Sequence, residues 1–225
     1  MVGFKVSGSA GPVLRATAPG GPVYAADGAA QRVLQSSTLQ QNRVLRASAA
    51  VFNWWGGPGV ILVAAVLWLG ARAARRRRIS ALGLRCAEAI AVSSAISGII
   101  KGLAGRARPF VTPGEPWHWQ LGRGWAGAHY YSMPSGHTTA AFALAGAATV
   151  TLARGAPPYR AAIATVAVLS ALLVAFARMY SNQHWLSDEV VGTLLGMSTG
   201  VVIARWHARH PESAFDRALL GTADA

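Results

Sequence analysis

The chain has 225 residues, of which 52% are hydrophobic and 13% charged, and its mean hydropathy is +0.33. This composition excludes an ordinary soluble domain, in which the charged share is larger. The 21 Lys and Arg residues against 8 Asp and Glu residues would suit nucleic acid if they formed one face. Many of them instead flank long apolar segments, which is typical of membrane topology, so no nucleic-acid partner is expected.

Residues 1–50 contain no segment apolar enough to cross a membrane, and they are expected to form an extramembrane tail. The tail is rich in Gly, Pro, Ala and Ser as far as Gly28, which predicts a loose segment. From Ala29 onward apolar residues recur between Gln and Arg residues, as on an amphipathic helix at the membrane surface. A solvated linker is the alternative interpretation. The recurring apolar residues are Val33, Leu34, Val44 and Leu45.

A membrane-spanning helix needs roughly 20 mostly apolar residues, because hydrocarbon offers the backbone no hydrogen-bond partners. Five segments approach that length with their flanks, which predicts an all-α integral membrane bundle of about five transmembrane helices. The segments are 51–71, 79–100, 138–153, 161–177 and 190–204. The membrane domain therefore covers residues 51–206, and residues 207–225 are predicted to form a polar, frayed tail.

Charged and small residues inside the spans predict helix contacts. Arg85 and Glu88 lie three positions apart on one helix face, which favours a structural ion pair facing the bundle over a catalytic role. The single cysteine, Cys86, excludes a disulfide framework and is expected to be buried. Glycine at every fourth position from Gly192 to Gly200 favours close helix packing within the bundle over dimerisation.

Arginine residues predict the orientation in the membrane. Arg72 and the arginine run at residues 75–78 adjoin two spans, and Lys and Arg residues close to spans concentrate on the cytoplasmic side. Arg154, Arg160, Arg205 and Arg209 lie on the same side. We therefore expect the loops 101–137 and 178–188 to face the extracytoplasmic side of a bacterial-type inner membrane.

The first of three polar clusters follows the second span and contains Lys101, Arg106, Arg108 and Pro109. The planar guanidinium donors match phosphate oxygens and the lysine ammonium is a compact positive charge, so these side chains suit an anion at the membrane surface. Cations that extend from a helix end to the interface are the alternative interpretation.

The second cluster, Pro134, Ser135, Gly136 and His137, opens the third span. Proline suits a first helical turn. The backbone N–H groups of the next three residues have no partner within a helix and would point at a ligand beyond its end. That geometry suits a phosphate.

The third cluster reads Arg178, His184 and Asp188, with five and then three intervening residues. On a helix His184 and Asp188 lie on one face, so the carboxylate can bind one imidazole nitrogen and leave the other as a free lone pair. An imidazole held in this way is a nucleophile or a base. Counting the spans places all three clusters on one side of the membrane.

Together the three spacings resemble those of the type 2 phosphatidic acid phosphatase superfamily, whose active-site architecture is shared with vanadium-dependent haloperoxidases. The resemblance rests on Lys101-x6-Arg108-Pro109, on Pro134-Ser135-Gly136-His137 and on Arg178-x5-His184-x3-Asp188. It extends over residues 51–206. Many bacterial members have six spans, whereas this sequence predicts five.

The resemblance implies a phosphate pocket in which His184 attacks phosphorus, Asp188 orients His184, and His137 is the general acid. It implies no metal and no cofactor. One departure is Ala177, where the family pattern usually has serine, so a hydrogen bond at or near the phosphate is expected to be missing. The phosphate-binding residues that the resemblance implies are Lys101, Arg108, Ser135, Gly136 and Arg178.

The loop 111–132 is rich in aromatic residues next to the spans, which favours an interfacial belt over a substrate lid. His118 and His129 lie in this loop without a recognisable metal-ligand spacing.

The expected function is hydrolysis of a lipid phosphate or pyrophosphate through a phosphohistidine. Undecaprenyl pyrophosphate, phosphatidic acid and phosphatidylglycerol phosphate are the candidate substrates, and membrane lipids are the expected surroundings. The alternatives are a vanadate-dependent oxidase and a non-catalytic protein that binds anionic lipid through Lys101, Arg106, Arg108 and Arg178. The oligomeric state stays open.

Overall fold

The computed structural model describes residues 21–153, 159–210 and 214–220. This part of the chain is helical apart from short connections and one long loop between residues 104 and 136. The helices are α1 (Pro22–Leu34), α2 (Ser37–Gln41), α3 (Arg43–Ala73), α4 (Arg77–Ala104), α5 (Gly136–Leu152), α6 (Tyr159–Tyr180), α7 (Leu186–Arg209) and α8 (Ala214–Leu220).

Four of the described helices, α3, α4, α6 and α7, are long and apolar enough to cross a membrane. Between 22% and 39% of the most apolar window of each is buried inside the protein, so most of each window faces outward, where lipid would contact it. The third predicted span corresponds to α5, which has 17 residues and is shorter than these four. The all-α membrane fold with a span count near five is therefore confirmed.

Helix α5 is the core of the bundle, with its residues from Thr138 to Ala148 buried and α4, α6 and α7 packed against it. The glycines of α7 make this packing close. A Cβ atom at Gly196 would lie 2.2 Å from the carbonyl oxygen of Thr139, and one at Gly200 would lie 2.3 Å from that of Ala143. The glycine repeat thus packs within the bundle, as predicted.

Helix α3 contains a π-helical turn at Trp55–Gly59 that includes Pro58. Proline lacks an N–H group and its ring clashes with the preceding turn, and a wider turn accommodates both effects. The same turn brings Gly57 against α5, where a Cβ atom would lie 2.9 Å from Nε2 of His137. The first span therefore contacts the second polar cluster directly.

Both predicted tails contain ordered helices that pack on the bundle. Helix α1 begins at Pro22 and buries Asp27, so the prediction of a loose segment up to Gly28 is wrong from Pro22 onward. The carbonyl oxygen of Leu219 in α8 accepts hydrogen bonds from Nε1 of Trp68 (3.3 Å) and Nη1 of Arg72 (2.6 Å). The prediction of a frayed terminus is therefore wrong for residues 214–220, while residues 1–20 and 221–225 lie outside the described residues.

The half-buried carboxylate of the second span has a partner on α7, and that partner also contacts α8. Oε2 of Glu88 lies 2.5 Å from Nε2 of His207, whose Nδ1 lies 2.8 Å from Oδ1 of Asp216. Pairing of Glu88 with Arg85 stays a prediction. Cys86, beside them, is 1% exposed, which confirms the expected burial of its thiol.

Candidate functional site

The three polar clusters lie at one end of the bundle, called the site end below, where α4 and α6 finish and α5 and α7 begin. Nη1 of Arg108 donates to Oε1 of Gln183 over 2.6 Å, which joins the first cluster to the third. The backbone N–H of Ser135 donates to the carbonyl oxygen of Asp188 over 3.0 Å, which joins the second cluster to the third. The predicted convergence is confirmed.

Lys101 lies in the last turn of α4 and is 5% exposed. Its Nζ donates to the carbonyl oxygens of Ser132 (2.9 Å) and Tyr131 (3.1 Å). Because an ammonium carries three donors, one remains available for a ligand. Gly105 follows the last turn of the helix with a φ of +57°. A Cβ atom at this position would lie 1.7 Å from a carbonyl oxygen, so the backbone conformation and the space both require glycine.

Arg108 and Arg178 are held by neutral groups. Nε of Arg108 donates to the carbonyl oxygen of Ala128 over 2.8 Å, and burial lowers the pKa of its guanidinium. Nη1 of Arg178 donates to Oδ1 of Asn53 over 3.1 Å, and the buried Nε of Arg178 has no hydrogen-bond partner among the described residues. Within that part of the chain, no carboxylate lies within 4.0 Å of Lys101, Arg108 or Arg178.

The second cluster starts α5, with Ser135 as the residue before the helix and Gly136 as its first residue. The expectation that the Ser135 N–H points at a ligand is wrong, because this group donates to Asp188. The N–H groups of Gly136 and His137 belong to the first helical turn, whose donors have no partner within the helix. A Cβ atom at Gly136 would lie 3.6 Å from Cε of Lys101, so the first turn reaches the lysine.

His184 precedes α7 instead of lying on it, because the helix begins at Leu186. The pairing with Asp188 forms all the same: Nδ1 of His184 lies 3.5 Å from Oδ2 of Asp188. Asp188 is the third residue of α7, and its carboxylate accepts from the N–H of Trp185 over 2.9 Å, capping the helix. The predicted pairing of His184 with Asp188 is therefore confirmed, but the assumption that both residues lie on one helix is wrong.

Burial determines the protonation of His184, whose side chain is 2% exposed. Loss of solvation lowers the pKa of the imidazole well below its usual 6.5, and the hydrogen bond with Asp188 opposes that shift without cancelling it. The ring is therefore neutral at pH 7. With Nδ1 directed at the carboxylate, Nε2 carries the lone pair.

A cavity of about 250 Å³ lies between α3, α4 and α5 beside this cluster. Lys101 and His137 are the two lining residues with ionisable nitrogen atoms, and small residues of the three helices supply much of the rest. Ile61, also in the lining, has 56% of its surface exposed on the outside of α3. The cavity therefore extends from the polar cluster to the apolar outer face of the bundle. The other lining residues are Gly56, Gly57, Ser94, Gly98, Tyr131, Gly136 and Ala140.

The sequence profile described as the PAP2 superfamily matches residues 82–212, more than half of the chain. The chain belongs to the PAP2 superfamily. It is a multi-pass membrane protein of this family of phosphatases. All the predicted site residues lie within the matched region.

Two solved structures are similar to this chain. The structure of Aquifex aeolicus LpxE has 22% sequence identity and a TM-score of 0.54, over 78% of this chain and 92% of that one. The structure of a transmembrane PAP2 type phosphatidylglycerolphosphate phosphatase from Bacillus subtilis has 19% identity and a TM-score of 0.64, over 86% and 89%. At these identities the similarity establishes the shared fold. No curated protein sequence matches the chain.

In this PAP2 protein Arg106 has a position that its sequence spacing did not predict. Its guanidinium is buried, with Nη2 2.6 Å from Oδ2 of Asp27 and Nη1 2.6 Å from Oδ1 of Asp188. The ring of Trp119 stacks 4.8 Å from the guanidinium carbon. Arg106 is therefore neutralised inside the protein and is not available to bind anionic lipid, while the non-catalytic alternative stays open for Lys101, Arg108 and Arg178.

Glu189 lies beside the predicted site residues, and the sequence analysis missed it. It follows Asp188 but turns to the start of α5, where Oε2 accepts from the hydroxyl of Thr138. Its Oε1 is buried without a hydrogen-bond partner among the described residues. The only sequence signal was a second carboxylate in the first turn of a span, where acidic residues also occur simply because they suit a helix N-terminus.

In the aromatic loop 111–132, two residues make contacts within the protein that neither an interfacial belt nor a substrate lid would require. Trp119 covers Arg106, and the hydroxyl of Tyr131 donates to the carbonyl oxygen of Gly98 over 3.1 Å. Trp125 fits the predicted belt better, because its ring is 62% exposed while one edge packs on Gly102. The loop thus shapes the site and also offers an apolar surface.

Ala177 is fully buried in an apolar cluster with Ala49 and Tyr180, between α6 and α3. A serine hydroxyl at this position would therefore enter mainly apolar surroundings. The expectation that a hydrogen bond at or near the phosphate is missing here stays a prediction.

Proposed function

We propose that this protein hydrolyses a terminal phosphate or pyrophosphate of a membrane lipid through a phosphohistidine on His184. The observation that carries the proposal is a surplus of positive charge beside a buried, neutral histidine. Lys101, Arg108 and Arg178 have no carboxylate partner among the described residues, and Arg178 retains an unpaired buried donor. An anionic ligand would complete this arrangement.

In the first step Nε2 of His184 attacks phosphorus, and the bond from phosphorus to the leaving oxygen breaks. The three cations and the N-terminus of α5 would stabilise the charge on the nonbridging oxygens. Once the bound phosphate dianion offsets the cations around His137, its imidazole can be protonated and would donate this proton to the leaving oxygen. Asp188 would stabilise the positive charge that develops on the His184 ring, through Nδ1–H.

In the second step water attacks the phosphohistidine, and the bond between phosphorus and Nε2 breaks. Neutral His137 would take the proton from this water and so return to its starting form. Inorganic phosphate leaves and His184 regains its lone pair. The charge stabilisation in both steps comes from side chains, so this sequence of events requires no divalent metal.

The cavity between α3 and α4 supports a lipid substrate. It connects Lys101 and His137 with the exposed Ile61, so a headgroup could reach the cations while its apolar chain stays in the membrane. Undecaprenyl pyrophosphate, phosphatidic acid and phosphatidylglycerol phosphate all offer a terminal phosphate on an apolar anchor. A preference among them depends on the shape of the cavity.

Purified protein in detergent, supplied with a panel of these lipids and excess EDTA, provides the first test. We expect phosphate release from at least one lipid, at a rate that EDTA leaves unchanged. Binding of the lipids without hydrolysis would favour the non-catalytic alternative. Bromide oxidation by peroxide on addition of vanadate, without phosphate release, would favour the oxidase.

Substitution of the two histidines tests the assigned roles. His184→Ala should abolish both turnover and a 32P adduct trapped by alkaline quench, since phosphohistidine survives in alkali. His137→Ala should slow poor leaving groups roughly 10²- to 10⁴-fold and nitrophenyl phosphate less. His129→Ala, in the aromatic loop, is the matched control and should keep wild-type turnover. A labelled adduct in His184→Ala would contradict the mechanism.

We also propose that the site end faces the extracytoplasmic side, on the basis of the arginine run at residues 75–78. In a Cys86→Ser background, Leu121→Cys should react with an impermeant thiol reagent in intact cells, whereas Ala74→Cys should not. Both positions are exposed. The reverse labelling pattern would place the site in the cytoplasm.

A further inference from the structure

Asp27 connects the N-terminal helix α1 to the site end. It is 1% exposed, and the residue lies outside the region that the PAP2 profile matches. Oδ2 lies 2.6 Å from Nη2 of Arg106, across 79 positions of sequence. Oδ1 and Oδ2 also accept from the N–H and the hydroxyl of Ser187, each over 2.7 Å. All these partners are close to Asp188.

We propose that Asp27 is a positioning residue for catalysis, acting on His184 through Arg106 and Asp188. This role rests on the proposed phosphatase function. Arg106 bridges the two carboxylates with separate nitrogens, 2.6 Å from each. Nη2 of Arg106 is held by Asp27 and by the carbonyl oxygen of Pro116 (2.8 Å), and this directs Nη1 at Oδ1 of Asp188. Oδ2 of Asp188 is then left for His184, together with the hydroxyl of Ser132 and the N–H of Trp185.

Charge gives Asp27 a second effect on the same histidine. Arg106 next to Asp188 weakens the negative potential that the imidazole ring meets. Asp27 offsets Arg106, so the buried set of Asp27, Arg106 and Asp188 keeps a net charge of −1 facing His184. The positive charge that develops on His184 during phosphoryl transfer is then stabilised by a full negative charge.

Gln31 also attaches α1 to the rest of the protein. The effect of this attachment can therefore be measured separately from the effect of Asp27 on His184. Nε2 of Gln31 donates to the carbonyl oxygen of Pro109 and to Oδ1 of Asn182, each over 3.2 Å. Its Oε1 accepts from the N–H of Gly114 over 3.0 Å. Gln31 lies one turn beyond Asp27 on the same helix, so its loss weakens the same docking without altering the charges around Asp188.

The test compares Asp27→Asn, Asp188→Asn, the double variant and Gln31→Ala, using nitrophenyl phosphate and dioleoyl phosphatidic acid in detergent. Asp27→Asn should lower kcat roughly 10- to 100-fold, the effect of losing a hydrogen bond to a charged group, and should change KM little. In the Asp188→Asn background the same substitution should change kcat by less than about twofold, because coupled residues are not additive. Gln31→Ala should lower Tm and keep kcat.

Three results would overturn the proposal. These are wild-type kcat in Asp27→Asn, an equal loss of kcat with and without Asp188, and a matching loss of kcat in Gln31→Ala. A separate measurement covers a wild-type protein that hydrolyses neither these two substrates nor any other lipid of the panel, a result that would refute the phosphatase function. The 15N chemical shifts of the His184 ring should then still move in Asp27→Asn and not in Gln31→Ala, and unmoved shifts would refute the positioning role as well.

Discussion

Two buried ionic clusters lie at opposite ends of α7, and they differ in their balance of charge. At the site end, near Asp188, three cations have no carboxylate partner among the described residues. Near the other end, His207 lies between the carboxylates of Glu88 and Asp216, 2.5 and 2.8 Å away. In the proposed function an anionic ligand completes the site end, whereas the protein itself completes the cluster around His207.

The difference shows that a histidine beside a buried carboxylate does not by itself indicate catalysis. His207 has the shorter contacts, but both of its ring nitrogens are engaged by protein carboxylates. Nδ1 of His184 lies 3.5 Å from Oδ2 of Asp188 and 3.5 Å from Oγ of Ser132, which leaves Nε2 for the proposed chemistry. The cluster around His207 joins α4 to α7 and α8, so we expect it to contribute to the stability of the fold.

The largest contrast should come from neutralising one carboxylate at each end. Asp188→Asn should lower kcat roughly 10³- to 10⁴-fold, by analogy with the loss of the orienting aspartate in a catalytic triad. Asp216→Asn should keep kcat and lower the free energy of unfolding by about 1 to 3 kcal/mol, the cost of a lost buried partner. Turnover and thermal unfolding in detergent measure the two effects. Loss of turnover in Asp216→Asn would mean that the two ends are coupled.

A smaller contrast should appear when one cation is removed from each end. Lys101→Met should weaken inhibition by phosphate or vanadate roughly 10- to 100-fold, because the ammonium would bind the anion directly. Arg72→Met removes a cation that donates to the carbonyl oxygen of Leu219, and inhibition should stay at the wild-type level. Equal inhibition constants for Lys101→Met and the wild-type protein would exclude Lys101 from the anion site.

The pH dependence should show that His184 is already neutral in the free enzyme. Its pKa lies well below 6.5, so the reactive form persists below pH 6.5 and is lost only as the pH falls through this lower value. The log of kcat/KM should therefore show no enzyme-derived acid limb centred near 6.5. Substrates with different phosphate pKa values provide the control, since an acid limb that moves with the substrate belongs to the substrate. A limb that stays near 6.5 would contradict the burial argument.

The smallest effect should come from Ala177→Ser, at the position where the sequence departs from the family pattern. The side chain lies in the apolar cluster of Ala49 and Tyr180, so turnover should stay within about twofold of wild type. The Tm of thermal unfolding should fall slightly, because a hydroxyl group enters an apolar site. A large gain in turnover would show that the hydroxyl reaches the phosphate.

The membrane spans and the predicted site residues were accessible to sequence reasoning because both depend on nearby residues. A span is a continuous apolar segment, and each polar cluster occupies a few positions at the end of one. The count of spans then places the clusters on one side. Lys101, Arg108, Arg178, His184 and Asp188 meet at one end of the bundle for that reason.

The partners of the buried charges were not accessible in the same way. Asp27 is separated from Arg106 by 79 positions, and Glu88 from His207 by 119. No local pattern selects such partners, since they depend on how α1 and α8 dock. The predictions for the two tails were wrong for this reason. A glycine-rich or polar sequence predicts a loose segment, because the distant partner of its anchoring carboxylate is not visible in the local pattern.

By itself the sequence determined the membrane bundle and the convergence of its polar clusters at one end, because hydrophobic length and the count of spans determine both. Only the tertiary structure decided which cations are already neutralised. Arg106 and Lys101 are five positions apart, but Arg106 lies between two carboxylates, whereas the Lys101 ammonium contacts two carbonyl oxygens and an aromatic ring and has no carboxylate partner in the described part of the chain. A buried charge binds a ligand or supports the fold according to its nearest neighbours, and helix docking is what supplies those neighbours.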